Sequence, residues 1–188
     1  MRVIAGRFKY TPLLSPKGRD IRPTTDRVKE DIFNILMPYT VQGGTFLDLF
    51  CGTGAIGIEA ASRGFGRAEL VDSSKEALEL AARNVKRTKN EQFFRIVRSD
   101  AKAYLIATRL RYDIIFMDAP YDYPGTDELI SMIEQRGLLK KGGILVVERS
   151  SHEQAPECGF ELHRVKTYSA TKVYYFVYPS DSEETTDE

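Results

Sequence analysis

From Thr45 onward the chain alternates short apolar runs with segments of helical periodicity, and this alternation restricts it to few folds. "TFLDLF" (45–50), "RAELVD" (67–72), "FFRIVRS" (93–99), "YDIIFMD" (112–118) and "GILVVE" (143–148) read as strands. The uniformly apolar ones are those expected to be buried on both faces, as central parallel strands are. Residues 54–64, 74–89, 101–109 and 126–137 carry helical periodicity. The second of these is best marked: Ser73 and Glu76 stand at capping-box spacing, and Ala77, Leu78, Ala81, Ala82 and Val85 form one face. Strand–helix alternation implies right-handed crossovers and an α/β fold with a doubly wound, mainly parallel sheet. "ELHRVKTY" (161–168) and "KVYYFVY" (172–178), joined by "SA", add a C-terminal antiparallel hairpin at the edge and bring the strand count to seven.

Three parts are expected along the chain. Residues 1–24 form a small basic N-terminal β extension of short strands broken by Gly and Pro. Residues 25–178 form the main domain, opened by a helix that Thr25 or Asp26 caps and that buries Val28, Ile32, Phe33, Ile35 and Leu36. Residues 179–188 form an acidic tail with nothing to bury, expected to be disordered.

Charge follows this division. The whole chain is neutral, with 27 Lys and Arg against 27 Asp and Glu. Residues 1–30 nevertheless hold eight bases (Arg2, Arg7, Lys9, Lys17, Arg19, Arg22, Arg27 and Lys29) against Asp20, Asp26 and Glu30, while the last ten residues hold five acids and no base. The basic arm is either a polyanion contact or a solvated coil. The two cysteines, Cys51 and Cys158, make no CxxC pair and read as thiols. No zinc spacing exists, and His152 and His163 read as surface residues, so no metal is expected. No apolar run approaches the ~20 residues that span a bilayer, and "MRVIAGRFKY" lacks the apolar core of a signal peptide. A soluble, cytoplasmic protein is expected.

"DLFCGTGAIG" (48–57) follows the first strand and opens the first helix of the alternating region. Gly52, Gly54 and Gly57 satisfy G-x-G-x-x-G, and Asp72 falls 20 residues after Gly52, so a dinucleotide-binding oxidoreductase is one candidate. Asp48 argues for another. A dinucleotide puts an anionic pyrophosphate at this helix N-terminus, where a carboxylate four residues upstream is poorly placed. S-adenosylmethionine has no phosphate, and its ammonium and sulfonium are cationic. Asp72, ending the second strand, can accept from both ribose hydroxyls, and Asp100, after the third, from an adenine amino group. Each acid alone reads equally well as a helix cap. Three at successive strand ends stand where ligands of such sheets bind.

The fourth strand runs into Asp118-Ala119-Pro120-Tyr121. An exocyclic base amine is a poor nucleophile, because its lone pair is delocalised into the ring. A carboxylate accepting from one N–H and a backbone carbonyl from the other aim that lone pair at a methyl donor. Asp118 supplies the first acceptor and the Ala119 carbonyl the second, Pro120 biases Ala119 to an extended backbone, and Tyr121 offers a stacking face for an extruded base. Read alone, D-x-P-Y is also an ordinary strand-ending turn.

The chain resembles the RsmD family, which methylates the exocyclic amine N2 of a guanine in 16S ribosomal RNA. The likeness rests on "RVIAGRFKYTPL", "RPTTDRVKEDIFNIL", "DLFCGTGAIGIEAASRG" and the D-x-P-Y strand end, and spans roughly residues 2–178. It implies a Rossmann-like class I methyltransferase fold and S-adenosylmethionine as cofactor. It places Asp48, Phe50, Gly52, Gly54, Asp72, Ser73, Asp100, Ala101 and Asp118 at the cofactor, and Asp118 to Tyr121 at the base. With the basic arm it implies RNA contact through Arg7, Lys9, Arg19, Arg22, Thr25, Arg27, Tyr121 and Tyr123, on naked RNA or an assembled small subunit, by a monomer. The family has proline where this chain has Ala119, which keeps the carbonyl but not the φ constraint. The same tetrapeptide also occurs in adenine methyltransferases and protein-glutamine methyltransferases, so the residues alone leave an adenine amine of RNA or DNA open. A non-catalytic RNA-binding protein on this fold is a third class.

Overall fold

The computed structural model describes residues 1–16, 26–121 and 123–180. Seven strands form one sheet: β1 (Thr45–Leu49), β2 (Arg67–Asp72), β3 (Phe94–Arg98), β4 (Tyr112–Asp118), β5 (Leu139–Ser150), β6 (Glu161–Tyr168) and β7 (Thr171–Val177), in the order β3-β2-β1-β4-β5-β7-β6. The first five are parallel, and β7 runs antiparallel to both β5 and β6. Among the described residues five α-helices accompany it: α1 (Asp26–Leu36), α2 (Ala55–Ser62), α3 (Lys75–Arg87), α4 (Ala101–Ala107) and α5 (Thr126–Gln135).

Strand pleating divides the core. Phe46, Leu70, Ile114, Phe116, Ile144 and Val146 face α1, α2, α3 and the N-terminal arm, while their neighbours Leu47, Val71, Ile115, Met117, Leu145 and Val147 face α4 and α5. With helices on both faces the central strands are buried throughout, as their apolar runs require. Among the described residues no helix is long and apolar enough to cross a membrane.

Several expectations need correction. The cap of α3 is Ser74, whose side chain accepts the Ala77 N–H at 3.2 Å, and not Ser73. Asp72 Oδ1 takes the Ser74 N–H at 2.9 Å, which fixes the extended backbone a cap needs. β5 is longer than 143–148: Leu139 already pairs with Tyr112, before a register shift that spans Lys140 to Gly143. Gly142 sits there at φ 73° and donates to the Tyr178 carbonyl. Among its described residues, 1–16, the arm forms no strand beyond an isolated bridge. Residues 1–13 form a turn-rich hook closed by a single antiparallel bridge, Arg2 to Pro12, and Val3, Phe8 and Leu13 join the main core.

A buried charge cluster anchors that hook. Glu59, on α2, accepts the Ile4 and Ala5 N–H groups at 2.8 and 3.0 Å and pairs with Arg63 at 2.8 Å and Lys29, on α1, at 3.4 Å. Lys29 also donates to the Arg2 carbonyl, and both it and Glu59 are fully buried. A buried ion pair persists only when its remaining donors and acceptors are met, which the hook's backbone achieves here. The tail expected at 179–188 lies, from residue 181, outside the described residues.

Candidate functional site

β1 ends in a loop that turns back under the ends of its neighbours. Phe50 and Cys51 both donate to the Val71 carbonyl, at 3.0 and 2.9 Å, and Phe50 itself adopts φ 73°. Gly52, at φ 51°, donates to Asp72 Oδ2 at 2.9 Å, and a Cβ there would meet nothing within 4 Å, so this backbone faces open space. Gly57 differs. A Cβ there would stand 2.2 Å from Leu70 Cδ2, so its role is the close packing of α2 on β2.

The three acids each hold backbone. Asp48, 2% exposed, accepts the Gly57 N–H through Oδ2 at 2.9 Å. Gly57 is the third residue of α2, whose N-cap, Gly54, has no side chain to offer. A carboxylate from β1 therefore caps the next helix from below. Burial pushes its carboxyl up to about 7, with Asp118 and Asp72 adding to the rise and the Gly57 bond opposing it. Asp72 anchors Gly52 and Ser74. Asp100 caps α4 by accepting the Ala103 N–H at 3.1 Å. Asp72 and Asp100 also line a cleft of about 560 Å³ over the carboxyl ends of the strands, together with Phe50, Gly52, Ser73 and Ala101. Asp48 and Gly54 lie beneath it. The cleft straddles β1 and β4, where the strand order reverses, the place at which open α/β sheets bind ligands.

Asp118, Ala119, Pro120 and Tyr121 line the other half of the same cleft. Asp118 opens into it, yet protein surrounds the carboxyl on its other sides, and that burial pushes it up to about 6. Tyr121 is 69% exposed, its hydroxyl 3.3 Å from Thr171 Oγ1 at the start of β7. Tyr123 does not stand beside it. Its N–H returns to the Pro120 carbonyl at 2.8 Å, its ring meets Phe50 edge-on at 4.9 Å, and its hydroxyl reaches Asp100 at 3.4 Å. Tyr123 thus closes the half of the cleft that holds Asp100.

The basic residues are spread more widely. Arg7 donates to the Ser62 carbonyl at the end of α2, and its guanidinium lies 4.4 Å from the Phe93 ring centroid, just before β3. Gly43 to Gly64 contacts tie that end of α2 to the approach to β1, so Arg7 stands at the sheet edge opposite the cleft. Lys9 belongs to the same turn, its N–H on the Gly6 carbonyl. The structure does not bring either to the cleft. Arg27 is exposed, one turn before Asp31, which is near enough to Tyr168 at the cleft end of β6 to help burial raise that phenol's pKa. Arg19, Arg22 and Thr25 lie outside the described residues.

The family model described as "Conserved hypothetical protein 95" matches residues 1–177. The chain belongs to this family. A Bacillus subtilis relative, "Putative rRNA methyltransferase YlbH", is 38% identical over 92% of this chain and 96% of its own length. "Ribosomal RNA small subunit methyltransferase D" of Escherichia coli strain K12 is 31% identical over 100% and 93%. Among solved structures, an Escherichia coli chain described as "Putative methyltransferase yhhF" superposes with a TM-score of 0.85 at 30% identity, covering 96% of this chain and 98% of its own. The family is the one the sequence blocks resemble, and its fold is the class I methyltransferase fold.

Sequence reasoning misses some cleft residues, Ser74, Ala77, Ser99, Glu148 and Thr171 among them. For Glu148 a signal exists: it ends the strand "GILVVE" as Asp72 and Asp118 end theirs. Thr171 carries no such mark, since only the fold of the hairpin brings it under Tyr121.

Proposed function

We propose that this chain transfers a methyl group from S-adenosylmethionine to the exocyclic amine N2 of a guanine in 16S ribosomal RNA. The observation that carries the reading is one cleft with two halves: Asp72 and Asp100 on one side, and the Asp118 to Tyr121 strand end on the other. The names of the family's relatives, a small-subunit rRNA methyltransferase among them, support the substrate.

The residues fit this cofactor better than a dinucleotide. The helix N-terminus that would bind a pyrophosphate is already capped by the Asp48 carboxylate, so a second anion there would meet repulsion. A cationic ligand would be attracted. When bound, S-adenosylmethionine supplies an electrophilic methyl group on its sulfonium. Asp72 retains lone pairs for ribose hydroxyls beyond its two backbone bonds, and Asp100 for an adenine amine. Gly52 leaves room at the loop, and Phe50 with Tyr123 forms an apolar wall.

Asp118 orients the target amine by accepting one N–H, and the Ala119 carbonyl accepts the other. Most of the acceleration of such a displacement comes from this alignment. With its carboxyl near 6, Asp118 is ionised at neutral pH and also a fitting first acceptor for the proton the methylated amine must lose. Tyr121, exposed at the mouth, stacks the extruded base. Arg7, Lys9, Arg19, Arg22, Thr25 and Arg27 contact RNA, and Arg7 and Lys9 do so far from the target nucleotide, which suits a body as broad as an assembled small subunit. The protein works as a cytoplasmic monomer and needs no metal.

The test is to offer tritiated S-adenosylmethionine with unmethylated small-subunit RNA and with assembled subunits, then map the labelled base. Label on guanine N2 is expected. Label on an adenine amine, or tight NAD binding without S-adenosylmethionine binding, overturns the reading.

A further inference from the structure

β4 and β5 pair in parallel register with Asp118 opposite Glu148, and both residues line the cleft. Adjacent strands stand ~4.8 Å apart, so the mouth presents two carboxylates side by side on one face of the sheet. Only Asp118 has a part in the proposed transfer. Glu148 lies one strand further from the acids at the cofactor half, with Val173 of β7 on its other side and Thr171 beyond, beneath the exposed Tyr121 ring. Its charge also reaches Tyr168 and Tyr175, which places it over the buried end of the hairpin.

A pair of carboxylates can only accept hydrogen bonds, so it selects a ligand edge with adjacent donors. Guanine has such an edge: the N1–H lies next to the exocyclic N2 amine. Adenine does not, because its amine is flanked by N1, a lone-pair acceptor. We propose that Glu148 accepts the N1–H of the target guanine while Asp118 holds N2, so that Glu148 is the residue selecting guanine over other amino-purines. This rests on the methyl-transfer reading above. A base whose N1 carries a lone pair would set that lone pair against the carboxylate, which both loses a bond and adds repulsion. Sites built to bond a substrate donor reject analogues lacking it strongly. The extra methylene of Glu over Asp suits the role, because N1 lies deeper in the ring than the amine.

The experiment places one modified purine at the target position of the RNA and measures kcat/KM for methyl transfer to N2. 2-Aminopurine and 2,6-diaminopurine keep the N2 amine but carry a lone pair at N1. 6-Thioguanine keeps the N1–H and alters only position 6. Wild-type protein is expected to favour guanine over both N1-acceptor purines by on the order of 100-fold or more, and to accept 6-thioguanine within about tenfold. Glu148→Gln offers an amide that can accept from N1–H or donate to N1, so its preference should fall to within about tenfold. Wild-type protein that uses the N1-acceptor purines as well as guanine overturns the proposal, and needs no variant to do so. So does E148Q with the wild-type preference, or E148Q that binds cofactor but methylates neither template. If E148Q does not fold, the wild-type ratios decide alone. Failure of wild-type protein to methylate guanine at all would instead sink the underlying activity.

Discussion

Asp48 Oδ2 accepts the Gly57 N–H at 2.9 Å, so the first strand of the sheet caps the helix that follows it. In a dinucleotide-binding fold that helix end is left open for a phosphate. Here an internal, buried carboxylate fills it, and the same glycine spacing therefore serves a different class of ligand. The loop signature common to both classes is explained by packing and by the bend at Gly52; in the proposed reading the acid beneath selects the ligand.

The buried acid makes stability depend on pH and, in the proposed reading, ligand affinity as well. Its carboxyl is raised to about 7, above the ordinary value of 3.8. Stability from the protonated form is thus fully present below about pH 4 and is lost as pH rises through 7, a change on the order of 4 kcal/mol for this group alone. Asp48→Asn keeps an acceptor for Gly57 and should flatten that part of the profile, as read by denaturant unfolding from pH 5 to 8. S-adenosylmethionine affinity should show the opposite slope, rising as Asp48 ionises, and should become flat in the variant. Calorimetry that gives equal slopes for the two proteins would remove Asp48 from any electrostatic role toward the cofactor.

Much of this is legible in the sequence, and the parts that are not share a cause. Apolar runs ending in or near acids mark β1, β2 and β4 because burial on both faces favours apolar side chains, the buried Glu69 of β2 being held by Arg67 and the Tyr104 hydroxyl. The acids at their ends mark the cleft. Lys29 gives no such sign: on an amphipathic helix a lysine reads as solvated, and only Glu59, 30 residues later, makes its burial possible. The position of Arg7 and Lys9 is equally hidden. Charge counts give a sign and an amount, whereas the hook's direction is set by Glu59 and Ser62 bonds to its backbone. β5 reads too short because Lys140, Lys141 and Gly142 interrupt the apolar pattern, and only the fold shows Leu139 pairing with Tyr112.

Asp118→Ala should reduce methyl transfer roughly 100-fold or more while leaving cofactor affinity within about twofold, since its proposed partner is the target amine. In wild-type protein, turnover at limiting RNA should rise with pH through about 6 and then level, because the ionised form accepts the N–H. Asp118→Asn should abolish that step in the profile. Near-normal turnover in either variant would return the D-A-P-Y segment to an ordinary strand-ending turn.

Asp72→Ala removes the acceptor for the Gly52 and Ser74 N–H groups at once. S-adenosylmethionine affinity should fall by about 1–3 kcal/mol, the cost of leaving hydroxyls and loop N–H groups unpaired. Unchanged affinity by calorimetry, with a normal melting profile, would show that the ribose is held elsewhere.

Lys29→Met should cost roughly 3–5 kcal/mol in denaturant unfolding, because it strands part of the Glu59 charge in the core. Lys29→Met with Glu59→Leu should recover some of that loss, yet the hook should then be cleaved faster by protease, since Ile4 and Ala5 lose their acceptor. A hook as resistant as in wild type would mean that Val3, Phe8 and Leu13 hold it without the charge cluster.

The basic arm gives the last prediction. Arg7, Lys9 and Arg19 are proposed to meet RNA phosphates, and the first two sit at the sheet edge opposite the cleft. Replacing all three with Ala should lower RNA affinity and reduce the log–log salt slope by roughly 0.7–0.9 for each phosphate no longer neutralised. Turnover at saturating RNA should not change, because none of the cleft groups moves. The distance between edge and cleft adds a second expectation: a short RNA carrying only the target loop should bind wild type and triple variant alike, while an assembled subunit should distinguish them. Binding across a salt series with both substrates reads this directly. Equal slopes on the subunit would leave the arm a solvated face, and RNA recognition would then rest on Tyr121 and the residues around it at the mouth.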